Sequence, residues 1–193
     1  MKCDNIKVAG TLLFVGSIQF LLCMIIAETL YPNYSASDNY ISDLGVGTTS
    51  LIFNSSVFLL GVTALASAYF IQHAFNSKIV PVLLILTGIG AMGVGLFPET
   101  FPEIHSIASL ITFTFGGLAA IMSHKLGKPP FSYFSVLLGA FSLVALALFI
   151  TDIHLGLGKG GMERMIAYPT LLWAVSFSGY LSSYSPTQSQ HKA

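Results

Sequence analysis

The sequence predicts an all-α fold: a polytopic integral membrane bundle of six transmembrane helices with both termini cytoplasmic. Composition is the first observation behind that reading. Of 193 residues, 54% are hydrophobic and only 8% charged, against about 25% charged in ordinary soluble domains, so polar side chains cannot cover a globular surface. The second observation is length. Six apolar stretches, roughly 6–28, 49–72, 79–97, 104–123, 131–151 and 162–184, reach the about 20 residues that a membrane-spanning helix requires. The third is charge sidedness. Lys2, Lys7, Lys78, Lys125, Lys128 and Lys192 fall at the termini and in the second and fourth connections, while only Lys159 and Arg164 fall opposite. Lysine-rich connections stay in the cytoplasm. The acids sort the other way: Glu28, Asp38, Asp43, Glu99, Glu103, Asp152 and Glu163 are outer and Asp4 alone is inner.

Each apolar run is a helix because a lone strand of that length leaves its backbone groups unsatisfied in lipid. The first run follows a short basic stretch, as a signal peptide would, but exceeds the about 7–15 residues of a signal core. It is read as a retained helix. Cys3 and Cys23 are too differently placed to pair, so no disulfide framework is expected.

The first connection, Glu28 to Gly45, carries Glu28, Asp38, Asp43, Tyr31, Tyr34 and Tyr40 and no Lys or Arg. It reads as one wall of an outer site, with Ser42 or Asp43 capping the second helix. Asn33-Tyr34-Ser35 is a formal glycosylation sequon in this loop and agrees with the orientation. Gln19, Asn54, Ser55 and Ser56 are polar points within the spans, sufficiently explained by interhelical hydrogen bonds of about 0.6 kcal/mol each.

The links HAFNSK and SHKLGKPP are short, which makes helices 2 and 3, and 4 and 5, antiparallel neighbours. Pro129 and Pro130 stop the fourth helix. Gly88, Gly90, Gly93 and Gly95 on helix 3, with Gly116 and Gly117 on helix 4, predict close approach of those two helices. Gly156, Gly158, Gly160 and Gly161 let the last outer loop take positive φ and fold close to other backbone. Tyr31, Tyr34, Tyr40, Tyr168 and Trp173 are expected near or below the outer interface, where aromatic belts form.

Polar groups at the ends of apolar spans need a partner or a purpose. Glu28, Ser42, Asp43, His105, Asp152, His154, Glu163 and Arg164 all belong to the outer face, where helix spacings of about 8–10 Å bring six helix ends within reach of one another. Asp43, His105 and Glu163 are the catalytic candidates, and Glu28, Ser42, Asp152 and Arg164 the ligand-binding ones. His105 and His154, helped by the carboxylates, would suit zinc, which takes nitrogen and oxygen ligands and activates a water for attack on an ester or amide.

The bland reading of the same residues is a structural cap in which Arg164 pairs with Asp43 or Asp152 and Glu163 sits at a helix amino end. A Ser-His pair using Ser106 or Ser42 with His105 lacks any Gly-x-Ser-x-Gly setting. His73 and His124 inside, with His105 and His154 outside, give the two-per-face layout of a haem-binding electron carrier. Yet 19 residues separate His105 from His124, about 28 Å at 1.5 Å per residue, which puts those rings at the membrane surfaces. Broken helices or midplane charges, the marks of a transporter, are missing.

Tyr31-Pro32-x-Tyr34-Ser35, Asn39-Tyr40-Ile41-Ser42-Asp43-Leu44-Gly45, Phe97-Pro98 with His105 following, and Gly161-x-Glu163-Arg164 with Tyr168-Pro169 together resemble the six-helix prokaryotic membrane proteins grouped as domain of unknown function 998, in an archaeal style. The likeness covers nearly the whole chain. It implies the six-helix bundle and singles out Ser42, Asp43, His105, Glu163 and Arg164, without implying a reaction. The Ile-Ser-Asp-x-Gly element is also similar to one in the DRAM and Sfk membrane family, whose members are tied to lipid organisation.

The expectation is therefore a single transmembrane domain over 1–184 with a cytoplasmic polar tail at 185–193. An outward polar pocket binds or hydrolyses a lipid or lipid-linked amphiphile. The rival is a non-enzymatic accessory or scaffold subunit. Partners expected are membrane lipids and further copies or subunits of a membrane complex, and with zero net charge and no basic cluster, no nucleic acid.

Overall fold

The computed structural model describes residues 2–183; the polar tail 185–193, Lys192 with it, lies outside the described residues. Six long helices account for most of the chain: α1 Lys2–Leu30, α2 Ser50–Ala74, α3 Ile79–Leu96, α4 Pro102–Met122, α5 Phe131–Ile150 and α6 Gly158–Ser182. Each packs against the next, and α6 returns to α1, so the helices close into a ring. Links of a few residues between α2 and α3, and between α4 and α5, leave these pairs no geometry but antiparallel.

Five of the six, all but α6, are long and apolar enough to cross a membrane. α6, the sixth run expected, falls outside that set by composition. α6 carries Lys159, Glu163, Arg164, Pro169 and several glycines, which lower its mean hydropathy, and it compensates by being buried in protein rather than facing outward. Trp173, Ile166, Phe177 and Leu181 on α6 are among the fully enclosed side chains, while Phe14, Leu22, Ile89, Ile107, Leu137 and Phe141 on the other helices point out of the ring. Apolar side chains on the outside and a more polar helix inside suit a protein whose solvent is lipid.

Small residues set the helix spacing, though not where the sequence suggested. A Cβ on Gly61 would lie 2.5 Å from the Gly88 carbonyl oxygen, and one on Gly88 2.8 Å from that of Gly61, so the backbones of α2 and α3 meet there. Of the α3 glycines only Gly90 and Gly93 face α4, while Gly88 and Gly95 face α2; Gly117 on α4 meets Gly139 of α5. Close approach is thus shared around the ring.

Trp173 is no belt residue. Its indole N–H donates to Ser123 Oγ at 2.8 Å, at the far end of α4, deep in a cluster with Phe177 and Ile71. The start of α2 also differs from expectation. Neither Ser42 nor Asp43 caps it: Ser42–Gly45 and Gly47–Thr49 form two 3₁₀ turns, and α2 begins only at Ser50. Gly47, at φ +74°, supplies the break between them.

Candidate functional site

The end of the ring that carries most of the acidic residues is closed by residues 31–49, folded down onto the start of α6. That helix begins earlier than its apolar residues indicate, because Gly158, Gly160 and Gly161, expected as loop, are in its first turn, while Gly156 stays in the loop at φ +80°. The N–H of Gly160 donates to the Ser37 carbonyl at 2.9 Å, and a Cβ on Gly160 would collide with the Asn39 carbonyl. Only glycine lets the two backbones touch.

Arg164 is the pin. Its Nη1 donates to the carbonyls of Ala36 at 2.9 Å, Asn39 at 3.1 Å and Gly160 at 2.8 Å. Its Nη2 reaches Glu28 Oε1 at 2.8 Å and the Tyr34 hydroxyl. The guanidinium thus neutralises Glu28 rather than Asp43 or Asp152, the two partners expected for it. Tyr34 is half-buried, and that burial raises its phenol well above the usual 10, keeping it a neutral acceptor for Arg164.

Beside the pin lies a group of carboxylates. Glu163, buried one residue before Arg164, accepts the Ile41 N–H at 2.5 Å. Asp43 Oδ2 accepts from Asn39 Nδ2 at 2.9 Å and the Tyr40 N–H at 3.0 Å, an arrangement that closes the 39–43 turn. Ser42 Oγ donates to Glu99. Burial pushes the Glu99 carboxyl up; the Ser42 hydrogen bond pulls it down, the Asp43 carboxyl pushes it further up, and Lys159 lowers it. His105, at the first turns of α4, holds the Phe97 carbonyl oxygen at 2.8 Å through Nδ1. A carbonyl only accepts, so Nδ1 carries the hydrogen and Nε2 is the nitrogen left to accept or to act as a base.

These side chains line a cavity of about 440 Å³, with Tyr40, Ser42, Glu99, His105, Ser106, Ser109, Phe113, Phe149 and Glu163 in its wall. A second cavity, of about 110 Å³, runs down the ring interior between Leu13, Phe20, Val57, Leu84, Ala91 and Trp173. Ser42, Ser109, Phe113 and Glu163 line both. The inner one is apolar, yet Ser17 in its wall is fully buried and its hydroxyl has no hydrogen-bond partner among the described residues. An orphaned buried hydroxyl costs about 1–3 kcal/mol unless something in the cavity meets it.

The structure thus gathers Ser42, His105 and Glu163 about one cavity, with Asp43 immediately behind Glu99, and puts Glu28 and Arg164 in a separate ion pair. It leaves Asp152 and His154 out. Asp152 has a 94% exposed side chain and touches His154 Nε2 at 3.5 Å, at the end of α5. Among the described residues no three His, Cys, Asp or Glu stand where they could share a metal ion, so the expected zinc set of His105 and His154 is not assembled. His73 and His124 bond the carbonyls of Tyr69 and Ile121 in their own helices, at 2.7 Å each.

Glu99 is a wall residue with no motif of its own in the sequence beyond its place among the acids between the third and fourth helices. Phe113, Phe149 and Ser17 gave no signal, being three more apolar or small residues within long apolar runs.

A family model described as a protein of unknown function (DUF998) matches residues 14–179. The chain belongs to the DUF998 family. No curated protein and no solved structure matches it. The matched span takes in every wall of both cavities apart from Leu13. In this DUF998 chain the motif pieces meet through backbone: Phe97 holds His105, Ile41 holds Glu163, and Asn39 holds Arg164.

Proposed function

We propose that this protein crosses a cell membrane with all six helices, both termini in the cytoplasm, and binds an amphiphile whose head enters the outer cavity from the outer leaflet while its chain occupies the ring interior. Sidedness supports the orientation: the lysines of the two short links lie at one end and the acids at the other. α6, with 25 residues, is roughly 37 Å long at 1.5 Å per residue and so has the length to span. The observation that carries the reading is that an outer cavity holding Glu99, His105 and Glu163 shares the walls Ser42, Ser109, Phe113 and Glu163 with an apolar inner one. A polar head and an apolar chain are the two halves such a space fits. Hydrolysis is the extension of this reading, with His105 Nε2 as the base that takes a proton from water. Catalytic roles for Asp43 and Glu163 belong to the same proposal.

One observation favours the rival, an accessory subunit with a structural cap. Arg164 is spent entirely within the chain. That accounts for Arg164 and Glu28 but not for the cavity beside them. Replacing Ala91, buried in the wall of the inner cavity, by Leu tests the proposal. Binding of a long-chain alcohol in nonionic detergent should weaken by about tenfold, or 1.4 kcal/mol, while thermal stability holds or rises as the space fills. Unchanged affinity would mean that the ring interior takes no chain.

A further inference from the structure

Resting on that amphiphile reading, the outer cavity also indicates the charge of the head it receives. Its walls carry the carboxyls of Glu99 and Glu163, the His105 imidazole and the rings of Tyr40, Phe113 and Phe149; among the described residues no Lys or Arg lines it. Arg164, one residue from Glu163, hydrogen-bonds Glu28, Tyr34 and three carbonyls, and only its field reaches Glu163. Asp43 adds a further carboxyl next to Glu99. Tyr40 and Phe149 stand edge to face at 5.9 Å, and Lys159 Nζ already sits 4.5 Å from the centroid of the Tyr40 ring, so a cation rests on this aromatic wall within the chain itself.

Carboxylates crowded in a half-buried space repel one another and repel an anionic head, whereas a cation relieves both penalties and gains from the ring faces. A cluster of acids alone would mean little. Here its wall is shared, through Ser42, Ser109, Phe113 and Glu163, with an interior cavity whose buried Ser17 hydroxyl lacks a partner among the described residues, which points to an occupant of that interior.

We propose that the head this site takes is cationic: a protonated amine or quaternary ammonium on an apolar chain, held between Glu99, Glu163 and the aromatic wall. A phosphate or carboxylate head faces Glu99, Glu163 and the nearby Asp43 there, against Lys159. Lys159 is the competitor the ligand displaces or shares with.

The test compares dodecylamine, dodecanol and dodecanoate on the full-length protein in nonionic detergent at neutral pH, measured by direct binding. Dodecylamine should bind about tenfold tighter than either of the others, a single-charge difference of 1.4 kcal/mol. In Glu99→Gln and Glu163→Gln the ratio of amine to alcohol affinity should fall towards one. The amide oxygen still accepts the Ser42 and Ile41 hydrogen bonds, and misfolding would lower both affinities together rather than their ratio. Equal binding of all three, or preference for dodecanoate, overturns the cationic head and leaves the amphiphile reading standing. Binding of none of them overturns both.

Discussion

Arg164 donates five hydrogen bonds and its side chain is 7% exposed, against 23% for its partner Glu28. Replacing it by Met leaves the Glu28 carboxylate without its cation and takes a side-chain donor from the Ala36 and Asn39 carbonyls, and breaking such a pair costs about 3 kcal/mol. Arg164→Met should therefore lower the unfolding midpoint clearly in nonionic detergent, and adding Glu28→Met should restore part of the loss, since the stranded charge goes too. An unchanged midpoint would show that the pin carries no stability. Glu99 predicts a pH effect of definite sign. Its folded pKa is raised above the ordinary 4.5, first by burial and then by Asp43, with Ser42 and Lys159 opposing and Glu163 and His105 in the same cavity wall. Between the two pKa values the folded protein keeps a proton that the unfolded chain releases, so this group's contribution to stability falls as pH rises from about 4.5 through the folded pKa. Glu99→Gln removes that term. Its midpoint relative to the parent should rise as pH goes from 4 to 7, and a difference independent of pH would refute the assignment.

The helices themselves follow from apolar length and short links, and these are legible residue by residue. How they touch is not. The glycines of α3 could face α2 or α4, and the sequence reading assigned them all to α4; Gly88 meets Gly61 instead because α2 and α3 cross where each lacks a Cβ. Gly61→Leu would force its side chain into the Gly88 carbonyl and Met92. Overpacking of this kind costs about 1–3 kcal/mol; the same change at Gly179, where a Cβ meets nothing within 4 Å, should cost little. Matched destabilisation of the two variants, measured by thermal unfolding, would contradict the crossing point. At α6, low hydropathy hid the helix start. Gly158–Gly161 are helical because residues 36–39 lie on them and supply a partner for the Gly160 N–H, a contact with no local signature.

Across the whole molecule, closure of the ring is what turns scattered polar residues into a site. Ser42, Glu99, His105 and Glu163 come from the first connection, the end of α3, α4 and α6, and they share a cavity only because α6 returns to α1 and carries the first connection down with it. The same closure separates residues that looked alike in sequence. Asp152 and His154 are as polar and as near a helix end as Asp43 and His105, but the turn after α5, with Asp152 at φ +60°, points Asp152 into solvent. Hydropathy and length determined the helices and the membrane-like character of five of them without help, because lipid demands satisfied backbone and apolar surface along each helix separately. Which carboxylate Arg164 neutralises, and which ones are left to face an open cavity, was decided only by packing. Pairing depends on distances between residues more than a hundred positions apart, and no local pattern encodes them.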